Sequence, residues 1–119
     1  MKRPAIPKAK KHLGQNFLID DYVIAQIIQL IKPHHTDHII EIGPGAGALT
    51  EQLVHTKAAI TAIEVDRDLA RTLTEHYADA PNFKLHHADI MNFDLGTLQK
   101  QSTGWKIVGN LPYLSLIHI

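Results

Sequence analysis

Apolar and polar positions change period several times along this chain, and each change marks an element. In DDYVIAQIIQLIKP the apolar residues fall at 23, 24, 27, 28, 30 and 31, the spacing of one helical face. Asp20 or Asp21 can cap the first turn and Pro33 stops the last, so a helix is predicted over 21–31. HIIEIG drops that period for a short apolar run, a buried strand that opens onto glycines. ALTEQLVHT returns to the helical period. AAITAIEVD is a second apolar strand, ending in two carboxylates, and RDLARTLTEHYA is a helix that Asp66 can cap. Asn82 to His87 makes a third strand and WKIVGN a fourth, directly before LPY.

Strands alternating with helices of this length indicate βαβ units. The fold class is therefore α/β, a parallel sheet wound right-handedly with helices on both faces. In such a sheet a ligand sits beyond the carboxyl ends of the strands, near the point where strand order reverses. The polar groups at the strand ends are Glu41 with Gly43, Gly45 and Gly47, then Glu64 with Asp66, then Asp89, then Asn110.

Composition narrows the class without changing it. The 119 residues suffice for one domain, and 45% apolar with 20% charged residues is ordinary for a globular chain. No apolar run approaches the roughly 18 residues that a membrane span needs. There is no cysteine, hence no disulfide framework, and the start MKRPAIPKAKKH lacks the apolar core of a secretory signal. A cytoplasmic location is the expectation. Net charge is zero, yet Lys2, Arg3, Lys8, Lys10 and Lys11 all fall in the first twelve residues, so the rest of the chain is net negative by difference. Residues 1–12 read as a basic flexible arm that Pro4 and Pro7 keep from being helical, suited to a polyanionic partner or simply to solvent.

The glycines run G-x-G-x-G, whereas a dinucleotide fingerprint runs G-x-G-x-x-G. Glu64 lies 21 residues past Gly43, where a carboxylate can accept both hydroxyls of a ribose. Glu41 is an anion beside the loop, which would repel a pyrophosphate and attract a cation such as the ammonium and sulfonium of S-adenosylmethionine. Asp89 can accept from the exocyclic amine of an adenine, or form a turn. In NLPY, the Asn110 amide oxygen and the Pro112 carbonyl can take the two protons of a base amine and turn its lone pair toward an incoming methyl, while Tyr113 stacks on the extruded base. Asn-x-Pro is also a common turn. Nine histidines, including HHTDH at 34–38 and the pair His86 and His87, do not converge as zinc ligands would, and no metal is expected.

GQNFLID (14–20), EIGPGAGALT (41–50), AIEVDRDL (62–69), HHADIMNFDL (86–95) and VGNLPY (108–113) together resemble, in order and spacing, the ribosomal RNA adenine N6,N6-dimethyltransferases of the small subunit. The resemblance covers about residues 8 to 113. It implies a Rossmann-like methyltransferase domain using S-adenosylmethionine on two adjacent adenines of small-subunit ribosomal RNA. It implies that Asn16, Leu18, Gly43, Glu64, Asp89 and Asn110 hold the donor, that Gln15 and Phe17 shape the same pocket, and that Asn110, Pro112 and Tyr113 serve catalysis. It also implies a pre-ribosomal partner, no membrane, and a monomer at full length. A sister family acting on large-subunit RNA usually carries Ser and Lys in the loop and NIPY, which EIGPGAGALT and NLPY do not match.

The domain reading is thus a basic arm over 1–12, the amino-terminal part of a methyltransferase domain over 13–113, and an atypical tail over 114–119. LSLIHI departs from the family pattern and looks like a truncation or a change of frame, so the fragment by itself is expected to be marginally folded and inactive. The alternatives are a non-catalytic RNA-binding factor for ribosome assembly or transcription on the same fold, and a nicotinamide oxidoreductase.

Overall fold

A computed structural model of the chain describes residues 21–98 and 104–109. The basic arm, Gln15 to Leu18, Asn110 to Tyr113 and the tail lie outside the described residues. The elements follow the predicted alternation: α1 (Asp21–Ile31), β1 (Asp37–Ile42), α2 (Ala48–His55), β2 (Ala59–Glu64), α3 (Arg67–His76), β3 (Phe83–His87), short 3-10 helices at Ile90–Asn92 and Leu95–Leu98, and β4 (Gly104–Gly109).

The helical period of α1 resolves into Ile24, Ile27, Ile28 and Ile31 against the core, with Val23 and Leu30 turned outward. Its end is set one residue before the proline. Lys32 takes the left-handed conformation (φ 49°) and donates its N–H to the Ile28 carbonyl at 2.9 Å. Asp66 caps α3 as expected, one carboxylate oxygen accepting from the N–H groups of Asp68 and Leu69. Asn82 is not in the third strand but in the turn before it, where its amide donates to the carbonyls of Val54 and Ala58.

The strand order is β3-β2-β1-β4 and every pairing is parallel. From β1 the chain moves outward through β2 to β3, then returns across β1 to form β4. Strand order therefore reverses at β1, and the loop after β1 lies at the switch point. The same path explains the layering. Right-handed crossovers that progress in one direction put α2 and α3 on one face, whereas the return from β3 to β4 must cross the other face. Ile39, Ile60, Ala62 and Phe83 accordingly pack beneath Leu49, Leu53 and Leu73, with α1 on the same side. Ile40, Ile42 and Ile63 pack beneath Ile90, Phe93, Leu95 and Leu98 of the return segment, together with Trp105 and Ile107 of β4. Among the described residues the second face is thus covered by 3-10 helices rather than α-helices. No helix among them is long and apolar enough to cross a membrane.

Candidate cofactor site at the carboxyl ends of the strands

The loop after β1 is built on three left-handed glycines: φ is 69° at Gly43, 58° at Gly45 and 87° at Gly47. L side chains resist this region, so every second position must be bare for the chain to turn from strand to helix in so few residues. At Gly47 space adds to strain, because a Cβ there would stand 2.9 Å from Leu73 Cδ2.

Glu64, at the end of β2, is the loop's polar partner. One carboxylate oxygen accepts the Gly45 N–H at 3.0 Å and the other accepts the Asp66 N–H at 2.9 Å. The side chain is 5% exposed. A single acid therefore fixes the glycine loop and the turn into α3 together, at the place where the sequence assigns a ribose.

Glu41 behaves differently from its sequence reading. It is 0% exposed, lies on the helix-facing side of β1, and accepts a hydrogen bond from the Thr50 hydroxyl of α2 at 2.5 Å. Burial, reinforced by the neighbouring Glu64 and opposed by the Thr50 bond, pushes its carboxyl up to about 7. It is not a bare anion facing a ligand, and the charge argument drawn from it at the sequence level needs that correction.

Asp89 follows β3 by two residues, is exposed, and caps the Ile90–Asn92 turn by accepting the Met91 N–H at 3.0 Å. The pairing of Glu64 with His87, and the bond from the Ala88 N–H to the Glu64 carbonyl at 3.0 Å, hold the end of β3 level with the end of β2. On the other side β4 ends at Gly109, paired with Ile42. Gly43, Glu64 and Asp89 are thus brought to one edge of the sheet. Asn16, Leu18, Asn110, Pro112 and Tyr113 lie outside the described residues.

Two residues at this edge were missed by sequence reasoning. Val65 (64% exposed) directly follows Glu64, and Met91 (85% exposed) lies two past Asp89. Large apolar side chains left open beside polar strand ends suit the faces of a flat ring. The available signal was an apolar residue one position behind Glu64 and two behind Asp89.

Residues 6–116 match the sequence pattern of the ribosomal RNA adenine dimethylase family. The chain belongs to that family. Among curated dimethylase relatives, the ribosomal RNA small subunit methyltransferase A of Pseudomonas syringae pv. tomato is 44% identical over 106 residues, covering 89% of this chain and 40% of that protein. The chain thus spans about 40% of the length of the curated relatives it matches. The crystal structure of the 23S rRNA methyltransferase ErmE superposes with a TM-score of 0.70 at 30% identity, over 83% of this chain and 38% of that one. A dimethyladenosine transferase from Plasmodium falciparum, at 21% identity, shares the fold with a TM-score of 0.67 over 82% of this chain and 34% of its own. The fold is the Rossmann-like one of methyltransferases.

Proposed function

We propose that the protein to which this chain belongs transfers methyl groups from S-adenosylmethionine to the N6 amines of two adjacent adenines of small-subunit ribosomal RNA. The observation that carries this reading is Glu64, clasped to the left-handed glycine loop at the switch point of a sheet whose family is that of the RNA adenine dimethylases. The residues fit the cofactor chemically. The loop admits a ligand to bare main chain, Glu64 offers carboxylate oxygens to a ribose, Asp89 offers one to an adenine amine, and Val65 and Met91 offer apolar faces to its ring.

The cofactor supplies an electrophilic methyl on a cationic sulfur. The chain's part is to hold and aim. Gly43, Glu64 and Asp89 bind the donor, with Asn16 and Leu18 from the preceding segment. The Asn110 side-chain oxygen and the Pro112 carbonyl accept the amine protons of the target base, which directs its lone pair along the line of transfer. Tyr113 stacks on that base once it leaves its helix. The basic arm meets RNA phosphates, so affinity falls with salt. The partner is small-subunit RNA or a pre-ribosomal subunit, the protein is cytoplasmic, and it acts as a monomer.

The test is made on the protein at full length. Titration with S-adenosylmethionine is expected to saturate where NAD does not, and Asn110→Ala is expected to abolish methylation while leaving RNA binding. Normal methylation by Asn110→Ala would refute the orientation role, and absent methylation by the unmodified protein would favour a non-catalytic RNA-binding factor.

A further inference from the structure

The sheet face turned toward the return segment is apolar at one end and polar at the other. Ile40, Ile42 and Ile63 occupy its carboxyl half, packed against Ile90, Phe93 and Leu95. In the amino half the same alternation puts His38 of β1, Thr61 of β2 and Lys84 of β3 on that face, with His86 paired to Ile63. A parallel sheet covered on both faces ordinarily reads as apolar runs. Here the polar residues, together with Thr97 of the return segment, border a recess of about 460 Å³. It lies toward the amino ends of the strands, away from the glycine loop, and shares no residue with the cofactor site.

His38 and Thr61 are the buried part of its wall, 5% and 4% exposed, and His38 Nε2 stands 2.6 Å from Thr61 Oγ1. Their protons do not balance. A neutral imidazole carries one N–H. If that proton is on Nε2 it is donated to Thr61, and the threonine hydroxyl proton is left over. If Thr61 donates to Nε2, the ring proton sits on Nδ1, which is buried with no hydrogen-bond partner. A charged ring carries two N–H groups and only adds to the excess. In every state the pair holds at least one donor more than the described residues accept, and a buried donor without an acceptor is costly. Lys84 adds charge in the same sense. It enters no ion pair among the described residues, and no aspartate or glutamate among them lines the recess.

We propose that this recess is an anion site that takes the phosphate group of a small phosphomonoester, with Thr61 donating from its buried wall, Thr97 from the return segment and Lys84 supplying the charge. An acceptor placed there selects the tautomer with the proton on Nε2, because only that one frees the Thr61 hydroxyl to donate outward. Nδ1 is then a bare lone pair and not an unpaired N–H. Hydrogen bonds from such donors to an ionised oxygen are the strong ones. The volume leaves room for the group that carries the phosphate. The depth of His38 and Thr61 suits a terminal phosphate, whereas a backbone phosphate of duplex RNA is held between two riboses. The site is independent of the methyl-transfer reading above.

The test is made on the protein at full length, with inorganic phosphate and ribose 5-phosphate as probes, by calorimetric titration and by nitrogen NMR of the histidine rings. Lys84→Met is expected to weaken both probes at least about tenfold, whereas Lys57→Met, which removes a cation ahead of β2 that does not line the recess, is expected to change them by less than about twofold. His38 is expected to be protonated on Nε2 in the saturated protein. Thr61→Val is expected to abolish binding; should that variant fail to fold, the contrast between the two lysine variants and the His38 tautomer decide the matter. Equal weakening by Lys84→Met and Lys57→Met overturns the proposal, as does a saturated protein with His38 protonated on Nδ1, or no binding of either probe at millimolar concentration. Displacement of ribose 5-phosphate by duplex RNA without terminal phosphates would give the recess to the RNA backbone and overturn the small-ligand assignment.

Discussion

The first strand carries a carboxylate near each end of the sheet, and the two live in opposite surroundings. At the amino end, Asp37 accepts from the Lys106 ammonium of β4 at 2.8 Å and from the His34 N–H at 2.9 Å; Lys106 also donates to the Lys32 carbonyl at 2.8 Å. Four residues on, at the carboxyl end, Glu41 has a threonine hydroxyl and a neighbouring carboxylate for company and is shut off from the surface. The amino end is satisfied within the chain and fastens the α1–β1 turn to β4. At the carboxyl end no cation among the described residues pairs with Glu41 or Glu64. The cofactor site proposed above lies at the second of these ends.

The strongest way to break this contrast is to remove the acid that links loop and ligand. Glu64→Ala deletes the clasp on Gly45 and, in the cofactor site proposed above, the carboxylate that would accept two charge-assisted hydrogen bonds from a ribose. At about 1.5–3 kcal/mol for each charged bond, S-adenosylmethionine affinity is expected to fall about 1,000-fold by calorimetric titration. A loss below tenfold would mean that the carboxyl end binds by its backbone alone.

Next in size is the cost that Glu41 imposes on the fold. Its carboxyl is pushed up to about 7 in the folded state from an ordinary 4.5, so the folded state holds the extra proton. The stability this gives is complete below the unfolded value and is lost as pH rises through about 7. From pH 5 to pH 8 in the absence of ligand, Glu41 contributes a decrease of about 2–3 kcal/mol, and the Glu41→Gln protein is expected to lack that decrease in chemical denaturation curves. Equal pH slopes for the two proteins would show that Glu41 keeps an ordinary carboxyl.

Much of this was legible in the sequence, because the features concerned are local. The isoleucine spacing of α1, the cap at Asp66 and the glycines at every second position each encode a local conformation, and the structure reproduces them at those residues. Glu64 was found for the same reason, as the last residue of a readable strand. Glu41 was misjudged because its meaning is not local. It alternates with Ile40 and Ile42, and whether the face opposite them meets ligand or helix depends on where α2 packs, which follows from crossover handedness and not from residues 38–43. Asn82 failed similarly, since its amide answers carbonyls 24 and 28 residues away. Val65 and Met91 look like ordinary apolar residues until the sheet shows that nothing described covers them.

The smallest expected effect sharpens the comparison from the amino end. Lys106, together with the His34 N–H, holds the Asp37 carboxyl below its usual range, so its stabilisation is present above the unfolded value of about 4 and is lost as pH falls through the folded one. The sign is opposite to that of Glu41, and the pH window is separate from it. Asp37→Asn is therefore expected to flatten the acid limb of a thermal denaturation profile below pH 4 and to leave the change near pH 7 intact. The pair is partly open to solvent, so 1 M salt should shrink the difference between wild type and variant. Lys106→Met gives the complementary arm. It removes the cation while keeping the side chain's length, and it should raise the acid midpoint without touching cofactor affinity. If Lys106→Met weakened S-adenosylmethionine binding as strongly as Glu64→Ala, the two ends of β1 would not be the separate structural and binding ends described above.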